Sequence, residues 1–237
     1  MSELLTLTVG GWFSRGWATF KRSPKPIIGG TVIIAIYGLI INVINITIKD
    51  FGIWITLPIN LVIGLVLTVG WLFLCLRIVR GENVNSFNVF DGFSHFGRVW
   101  VTYILFTLII VGGLILLVIP GIICALKYSQ SLYAVMDKKL SAREAIRFSG
   151  KITKGYKGKL FIAVLIAILL SLLAWPFSFG LQRLGSNYGL ILLAVGIVPY
   201  LLTILIISPW ISATFAAAYD SLASKYESIS TDKNQQA

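Results

Sequence analysis

A lysine within an apolar run is the residue of this sequence best suited to binding chemistry. Lys127 is followed by Gln130 and Ser131, at the three- and four-residue steps that share one face of a helix. A charge near the middle of a bilayer costs roughly 2.5–3.5 kcal/mol, so it usually faces protein or a wet cavity. These three residues are therefore a candidate intramembrane site for an anionic group such as a lipid phosphate. The alternative is that Lys127 extends toward the membrane surface or hydrogen-bonds loose backbone carbonyls.

A second candidate is a row of cations on one face of a predicted amphipathic helix. Ser141 and Glu144 form a capping box that marks the start of this helix, and Phe148 and Ile152 lie on its apolar face. The opposite face carries five cations: Arg143, Arg147, Lys151, Lys154 and Lys157. Cations beside a membrane attract anionic lipid at about 1 kcal/mol each, so this face is a candidate anionic-lipid surface. The alternative is a positive-inside bias that only fixes the topology.

The residue types that most enzyme mechanisms need are scarce. His95 is the single histidine, which leaves no two-histidine metal helix and no pair of imidazoles for acid–base catalysis. The nine acidic residues are scattered, and the sequence has no Gly-rich phosphate loop after a strand and no G-x-S-x-G elbow. Only Ser131 with Lys127 would bring a nucleophile and a base together. We therefore expect no enzyme, no catalytic residues, no metal and no cofactor.

The composition indicates that lipid is the solvent of the elements that carry these residues. Hydrophobic residues make up 57% of the 237-residue chain and charged residues 12%, whereas a soluble domain is about half apolar and a quarter charged. A soluble fold of this length would have too few charges to cover its surface. Cys75 and Cys124 lie in apolar runs and are expected to pack as small apolar residues. The net charge of +11 indicates a negatively charged neighbour.

Six apolar runs come close to the roughly 20 residues that a bilayer-spanning helix needs. The predicted spans are 27–48, 53–76, 99–119, 122–136, 160–181 and 199–219. The sequence thus predicts an all-α membrane bundle with a single transmembrane domain, residues 1–224. Residues 225–237 are polar and are expected to form a disordered tail.

Proline positions predict two interruptions. Pro120-Gly121 predicts a tight turn between the third and fourth spans. The last apolar stretch, 189–219, is too long for one straight span and contains Pro199 and Pro209. It is predicted to form a short outer segment, interfacial or inserted, followed by a kinked helix that begins near Pro199.

Three amphipathic segments, each ahead of a pair of spans, predict an internal repeat. Each segment contains the dipeptide Phe-Ser: Phe13-Ser14, Phe93-Ser94 and Phe148-Ser149. The order of elements therefore suggests three units of a surface helix plus a hairpin, and internal repeats are common in transporter folds. Amphipathic helices of this kind are expected to lie in the plane of the membrane interface.

The distribution of lysine and arginine predicts the orientation. With the N-terminus inside, seventeen of the twenty cations lie on the inner side, only Lys49 and Arg183 lie outside, and Lys127 lies in the membrane. By the positive-inside rule, both termini and all three amphipathic segments are cytoplasmic. This bias independently favours an even number of spans.

Short motifs spread over nearly the whole chain resemble a known family. They are Leu76-Arg77-Ile78-Val79-Arg80-Gly81-Glu82, Ile119-Pro120-Gly121-Ile122, Ala125-Leu126-Lys127-Tyr128-Ser129, Ser141-Ala142-Arg143-Glu144-Ala145, Lys154-Gly155, Pro199-Tyr200 and Ala218-Tyr219. The family is a bacterial group of integral membrane proteins of unknown function, related to the membrane domain attached to some glycerophosphodiester phosphodiesterases. The resemblance implies a six-helix membrane domain without an established reaction. The phosphodiesterase barrel itself would need about 250 residues, for which this chain has no room.

Two functions follow from these observations. The first is a non-enzymatic protein of the bacterial inner membrane that engages anionic lipid at its cytoplasmic face, scaffolding a partner or assisting lipid handling. The second is a small transporter or channel-like protein for an anionic or amphipathic substrate, with Lys127, Gln130 and Ser131 in its pathway. Nucleic acid is not expected as a partner, because the aromatic residues do not alternate with cations on an exposed face. A protein partner or a second copy of the chain stays open.

Overall fold

The computed structural model describes residues 7–48, 51–182 and 187–235, and within them the chain is helical without a strand. The α-helices are α1 (Val9–Arg22), α2 (Pro24–Ile48), α3 (Gly52–Ile59), α4 (Leu65–Val79), α5 (Phe96–Leu116), α6 (Val118–Tyr128), α7 (Ser131–Asp137), α8 (Ala142–Ile152), α9 (Lys157–Ser171), α10 (Trp175–Gln182), α11 (Asn187–Leu202) and α12 (Ser208–Gln235). Two 3₁₀ segments (Ser86–His95 and Leu172–Ala174) and two π segments (Asn60–Gly64 and Thr203–Ile207) connect some of them. Lys49 and Arg183, the two cations predicted on the outer side, lie outside the described residues.

Six helical stretches are long and apolar enough to cross a membrane, which confirms the predicted all-α membrane bundle. They are Pro24–Asn45, Gly52–Val79, Ser86–Leu116, Val118–Asp137, Lys157–Ala174 and Ala194–Asp232. Their outward side chains are apolar and exposed, as at Leu39, Leu108 and Val195. Contiguous apolar surface of this extent is unusual on a soluble monomer and is what a helix in lipid presents.

The turn between the third and fourth spans lies at Leu117, not at Pro120-Gly121 as predicted. Leu117 is fully extended, with φ −170° and ψ 153°, and α6 begins at the next residue. Pro120 is therefore the third residue of α6. A proline is tolerated in the first turn of a helix because its missing N–H would have no intrahelical acceptor there.

The last apolar stretch forms one uninterrupted helical run, so the predicted separation near Pro199 is wrong. Pro199 lies inside α11, which passes through the π segment Thr203–Ile207 directly into α12. The Thr203 hydroxyl donates to the Pro199 carbonyl at 2.8 Å. Local π turns of this kind allow a helix to continue past a proline within a membrane.

The prediction of a disordered tail from residue 225 is also wrong, because α12 continues to Gln235. Tertiary contacts stabilise this extension. The Lys225 ammonium donates to the Tyr156 hydroxyl at 2.6 Å, and the ring of Tyr226 packs edge-on against Phe148 at 5.7 Å. Composition alone gives no sign of these contacts, which join residues 69 and 78 positions apart.

The three amphipathic segments pack on the ends of three spans and define one end of the bundle. α1 packs on α12, the 3₁₀ segment Ser86–His95 on α4, and α8 on α7. We call this end, with the connections 80–85, 138–141 and 153–156, the basic end. In each case the segment packs on a span outside the pair that follows it in the sequence, so the predicted repeat of a surface helix plus its own hairpin stays a prediction.

The apolar faces of the first and third segments are covered by protein instead of lying on lipid as expected. Trp12 of α1 is fully buried, and Ile152 of α8 is only 3% exposed. The second segment differs, because Phe87, Phe90 and Phe93 remain exposed. It is also a 3₁₀ helix instead of the expected α-helix.

Candidate functional site

The backbone beside the predicted intramembrane site is broken and is satisfied by hydroxyl groups of α8. α6 ends at Tyr128 and α7 begins at Ser131. The Ser149 hydroxyl accepts a hydrogen bond from the Gln130 N–H at 3.2 Å and donates to the Lys127 carbonyl at 2.9 Å. The Thr153 hydroxyl donates to the same carbonyl at 3.0 Å. Hydrogen bonds from the third amphipathic segment therefore stabilise the backbone where the fourth span is interrupted.

The Lys127 side chain lies against the ring of the next residue, Tyr128. Its ammonium nitrogen lies 4.8 Å from the centroid of the Tyr128 ring, and its stem passes beside Gly150. Lys127 is half-buried, whereas Gln130 and Ser131 are completely buried. Gln130 Oε1 and Ser131 Oγ have no hydrogen-bond partner among the described residues. The cation is thus held at an aromatic ring, and the polar atoms beside it lie in the core.

The predicted cationic face is present on and around α8. Arg143, Arg147, Lys151 and Lys154 are exposed, and Lys157, at the start of α9, is half-buried. Within residues 7–48, 51–182 and 187–235, none of the five cations forms an ion pair or a side-chain hydrogen bond. We call these five residues the α8 cations. Their charge is not neutralised by a carboxylate contact in the described part of the chain.

The start of α8 has the predicted capping box, which also engages the acidic residue nearest to the α8 cations. The Glu144 carboxylate accepts from the Ser141 hydroxyl at 2.6 Å and from the Ser141 N–H at 3.0 Å. These hydrogen bonds, helped by the charge of Arg147, lower the pKa of Glu144. The carboxylate is thus ionised and committed to the helix start, where it also complements the helix dipole.

A network of buried ion pairs at the basic end was missed by reasoning from the sequence. Arg80, directly after α4, donates to the carboxylates of Asp137 and Asp220, the latter at 2.8 Å. Arg15 of α1 donates to Asp220 at 2.5 Å, and the Tyr219 hydroxyl donates to Asp137 at 2.8 Å. The side chains of Asp137 and Asp220 are only 10% and 12% exposed. We call these five residues the ionic network.

The ionic network joins α1 to the second, fourth and sixth spans. The hydrogen bonds to Asp137 are the main cause that raises the pKa of Arg80, so its guanidinium stays charged. Buried charges require such pairing, because an isolated charge would lose its hydration without compensation. The sequence contains one signal for this cluster: Arg80, Asp137 and Asp220 each follow or end an apolar run on the same predicted side. Pairing partners 57 and 140 residues apart could not be assigned from that signal.

No metal-binding chemistry is apparent within the described residues. No group of three or more His, Cys, Asp or Glu residues there could hold a metal ion. His95 Nδ1 lies 2.7 Å from the Ser94 hydroxyl. Cys75 and Cys124 are both free, and Cys75 is completely buried.

Comparison with known proteins identifies the family but no characterised relative. Neither the curated proteins nor the solved structures contain a match to the chain. A family model matches residues 107–226, which cover just over half of the sequence, from α5 to α12. The matched part includes Lys127, the α8 cations, Asp137 and Asp220. The chain belongs to the family described as Protein of unknown function (DUF975).

Proposed function

We propose that this protein is a non-enzymatic, multi-pass protein of the bacterial inner membrane that binds anionic lipid headgroups through the α8 cations. In this role it would scaffold a partner or assist lipid handling. The observation that carries the proposal is that five cations at one end of a membrane bundle lack carboxylate partners in the described part of the chain. The strong lysine and arginine bias favours a cytoplasmic position for the basic end.

The packing of α8 supports this assignment because it fixes the direction of the cations. Ala145, Ser149 and Ile152 are buried against neighbouring helices. The opposite face therefore points away from the protein, toward solvent and headgroups. By contrast, Arg15, Arg77, Arg80 and Lys138 are each paired with a carboxylate. The protein neutralises these four cations itself and leaves the α8 cations available to an external anion.

The motif resemblance adds a second line of support. The short motifs resemble a family of integral membrane proteins of unknown function, which we propose is related to the membrane domain attached to some glycerophosphodiester phosphodiesterases. A role near phospholipid headgroups is compatible with that resemblance. We propose both the bacterial origin of the chain and its relation to that membrane domain.

Neutralising three of the α8 cations should weaken the binding of anionic lipid. We expect the variant R143Q/R147Q/K151Q to bind phosphatidylglycerol about 100-fold less tightly than the wild type, since three charges near a membrane surface contribute about 3 kcal/mol. The measurement is a titration of the detergent-solubilised protein with phosphatidylglycerol or phosphatidylcholine, followed by native mass spectrometry. Raising the salt concentration should also weaken the binding of phosphatidylglycerol to the wild type, because salt screens the charges.

The matched control replaces three exposed cations of the basic end that do not belong to the α8 cations. K21Q/R98Q/K139Q has the same net charge as the test variant but keeps the α8 cations intact. It should retain most of the affinity for phosphatidylglycerol. Equal affinities in the wild type and R143Q/R147Q/K151Q would show that these cations serve topology alone.

A second candidate function, transport of an anionic or amphipathic substrate, is favoured by the unpaired atoms in the core. A buried polar atom without a partner costs about 1–3 kcal/mol, so Gln130 Oε1 and Ser131 Oγ call for an explanation such as a bound water or a passing solute. Lys127 lies on the same span and would supply the positive charge. In this case the buried polar atoms are part of a pathway.

The Lys127→Ala variant distinguishes this candidate from lipid binding. If the protein transports, K127A in proteoliposomes should abolish the uptake of an anionic probe such as inorganic phosphate, while K21A should leave uptake unchanged. If the lipid-binding proposal is correct, K127A should bind phosphatidylglycerol as the wild type does. Near-native flux in K127A would remove Lys127 from any pathway.

A further inference from the structure

A polar basin at the basic end, separate from α8, has the chemistry of a phosphate site. We infer that this basin binds a phosphate group, carried by a phospholipid headgroup or by a small solute. It consists of two adjoining cavities of about 340 and 650 Å³ that share Lys25, Pro26, Asn83 and Val84 as walls. The polar side chains that line it include Arg22, Lys25, Arg77, Asn83, Ser86 and Asn88.

Several hydrogen-bond donors of the basin have no partner in the described part of the chain. The Lys25 ammonium, the Asn83 amide and the Ser86 hydroxyl are all unpaired there. A phosphate offers acceptor oxygens in several directions, so one group could take donors from all three side chains. Charge-assisted hydrogen bonds of this kind are roughly twice as strong as neutral ones.

Two carboxylates lie at the basin, Glu82 in its wall and Asp91 beside it, and both are paired with Arg77. Arg77 donates to Glu82 at 2.7 Å and to Asp91 at 3.2 Å. The Asn88 amide donates to the same oxygen of Asp91 at 3.0 Å. Arg77 offsets one of these two carboxylates, so that together with Arg22 and Lys25 the basin and its surroundings carry a net charge of +1.

Lys25 is a cation in the first turn of a helix, where a positive charge is unfavourable and a bound anion would compensate for it. Lys25 is the second residue of α2, where the helix dipole is positive and a cation is unfavourable. The first turn of α2 has no acidic residue to compensate. A sequence that departs from local preference at a polar cavity is typical of a functional site. A phosphate beside Lys25 would neutralise the ammonium and complement the dipole together.

The Arg22 guanidinium, which lines the basin, is held in place by the protein before any ligand binds. The Arg22 guanidinium donates to the Ile78 carbonyl at 2.5 Å, near the end of α4. The chain turns there through Gly81, whose φ of +84° favours glycine. The guanidinium lies 3.6 Å from where a Cβ on Gly81 would be, so the turn and the arginine are packed together. A preorganised donor loses little side-chain entropy on binding.

The surroundings of the basin favour a lipid as the source of the phosphate. The basin lies between the first residues of the first and third candidate spans, at the level where headgroups meet the helices. The neighbouring Phe87 is 68% exposed and can lie among acyl chains. An aromatic side chain beside cationic and amide donors matches a ligand with an apolar tail and a phosphate head.

The experiment compares two phosphate sources on the detergent-solubilised full chain. Native mass spectrometry measures retention of a single phosphatidylglycerol after a delipidation wash, and a thermal-shift titration measures the effect of inorganic phosphate. We expect K25Q/N83A to lower the affinity for the phosphate source roughly tenfold, because it removes one charge-assisted and one neutral hydrogen bond. K21Q, which removes an exposed cation of α1 that does not line the basin, is the matched control.

The outcomes separate the sources and the competing explanations. Loss of phosphatidylglycerol in K25Q/N83A but not in K21Q assigns the basin to a lipid headgroup, and loss of the phosphate-induced thermal shift assigns it to a solute. Unchanged binding of both probes in K25Q/N83A would overturn the inference, as would a wild type that binds neither. The R143Q/R147Q/K151Q variant should keep the single retained ligand. Its behaviour therefore distinguishes failure of this site from failure of the α8 proposal.

Discussion

The variant R80Q should lower the free energy of unfolding by about 3 kcal/mol. Arg80 is the only side chain that contacts both Asp137 and Asp220 within the described residues, and its removal leaves two nearly buried carboxylates short of a partner. Breaking a buried ion pair costs roughly 3–5 kcal/mol, and the partial exposure of Arg80 places this case at the low end of that range. The measurement is unfolding in mixed micelles with increasing SDS, followed by circular dichroism.

Arg77, three residues before Arg80, provides a matched control. It also pairs with two carboxylates, Glu82 and Asp91, but both are about two-fifths exposed. R77Q should therefore cost under about 1 kcal/mol, as surface ion pairs generally do. The double variant R80Q/D137N should recover part of the loss, because it removes the stranded charge as well. Equal stabilities of R80Q and R77Q would show that the ionic network contributes nothing beyond a surface pair.

The variant G70A should destabilise the protein by about 3 kcal/mol or more. A Cβ on Gly70 would lie 1.8 Å from the Val89 carbonyl oxygen, and one on Gly92 would lie 2.3 Å from the Val66 carbonyl oxygen. Both clashes are with backbone, so α4 and the 3₁₀ segment Ser86–His95 would have to move apart. Overpacking of a tight interface typically costs 1–3 kcal/mol, and a backbone clash lies at the upper end. G92A should have an effect of the same sign.

The control for this prediction is a glycine-to-alanine change at helix positions with free space, where alanine should not destabilise the protein. Gly38 of α2 and Gly112 of α5 have nothing within 4 Å of an added Cβ. Alanine is favoured over glycine in a helix interior by roughly 1 kcal/mol, so G38A and G112A should leave the stability unchanged or raise it. SDS unfolding of all four variants checks the difference. If G70A and G112A unfold at the same SDS fraction, the close approach of the two backbones does not exist in solution.

The candidate sites divide between those that local sequence indicates and those that it does not. The cations from Arg143 to Lys157 were predictable, because a helix period and a capping box place them on one face. Their availability was not, since it depends on where the carboxylates of other elements lie. Lys127, Gln130 and Ser131 share a predicted face, but the structure places the Lys127 ammonium at the Tyr128 ring and buries Gln130 and Ser131 in the core.

Reasoning from the sequence did not find the ionic network or the polar basin, and the reason is the same for both. Each is assembled from residues of distant segments, such as Arg15 with Asp220 and Lys25 with Asn83. Single charges at the ends of spans are expected on both topological and structural grounds, so their types do not show which will pair. Only the packing of three surface segments against three spans decides that.

By itself the sequence determined the class of this protein: helices that lie in lipid, their approximate number, and a bias of positive charge to one end. These follow from hydropathy and period, which depend on neighbours a few residues apart. The tertiary structure decided where the chain turns at Leu117, how far α12 extends, which apolar faces are covered by protein, and which cations stay unpaired. Those features depend on contacts between distant segments, and a local pattern cannot encode the free energy of such contacts.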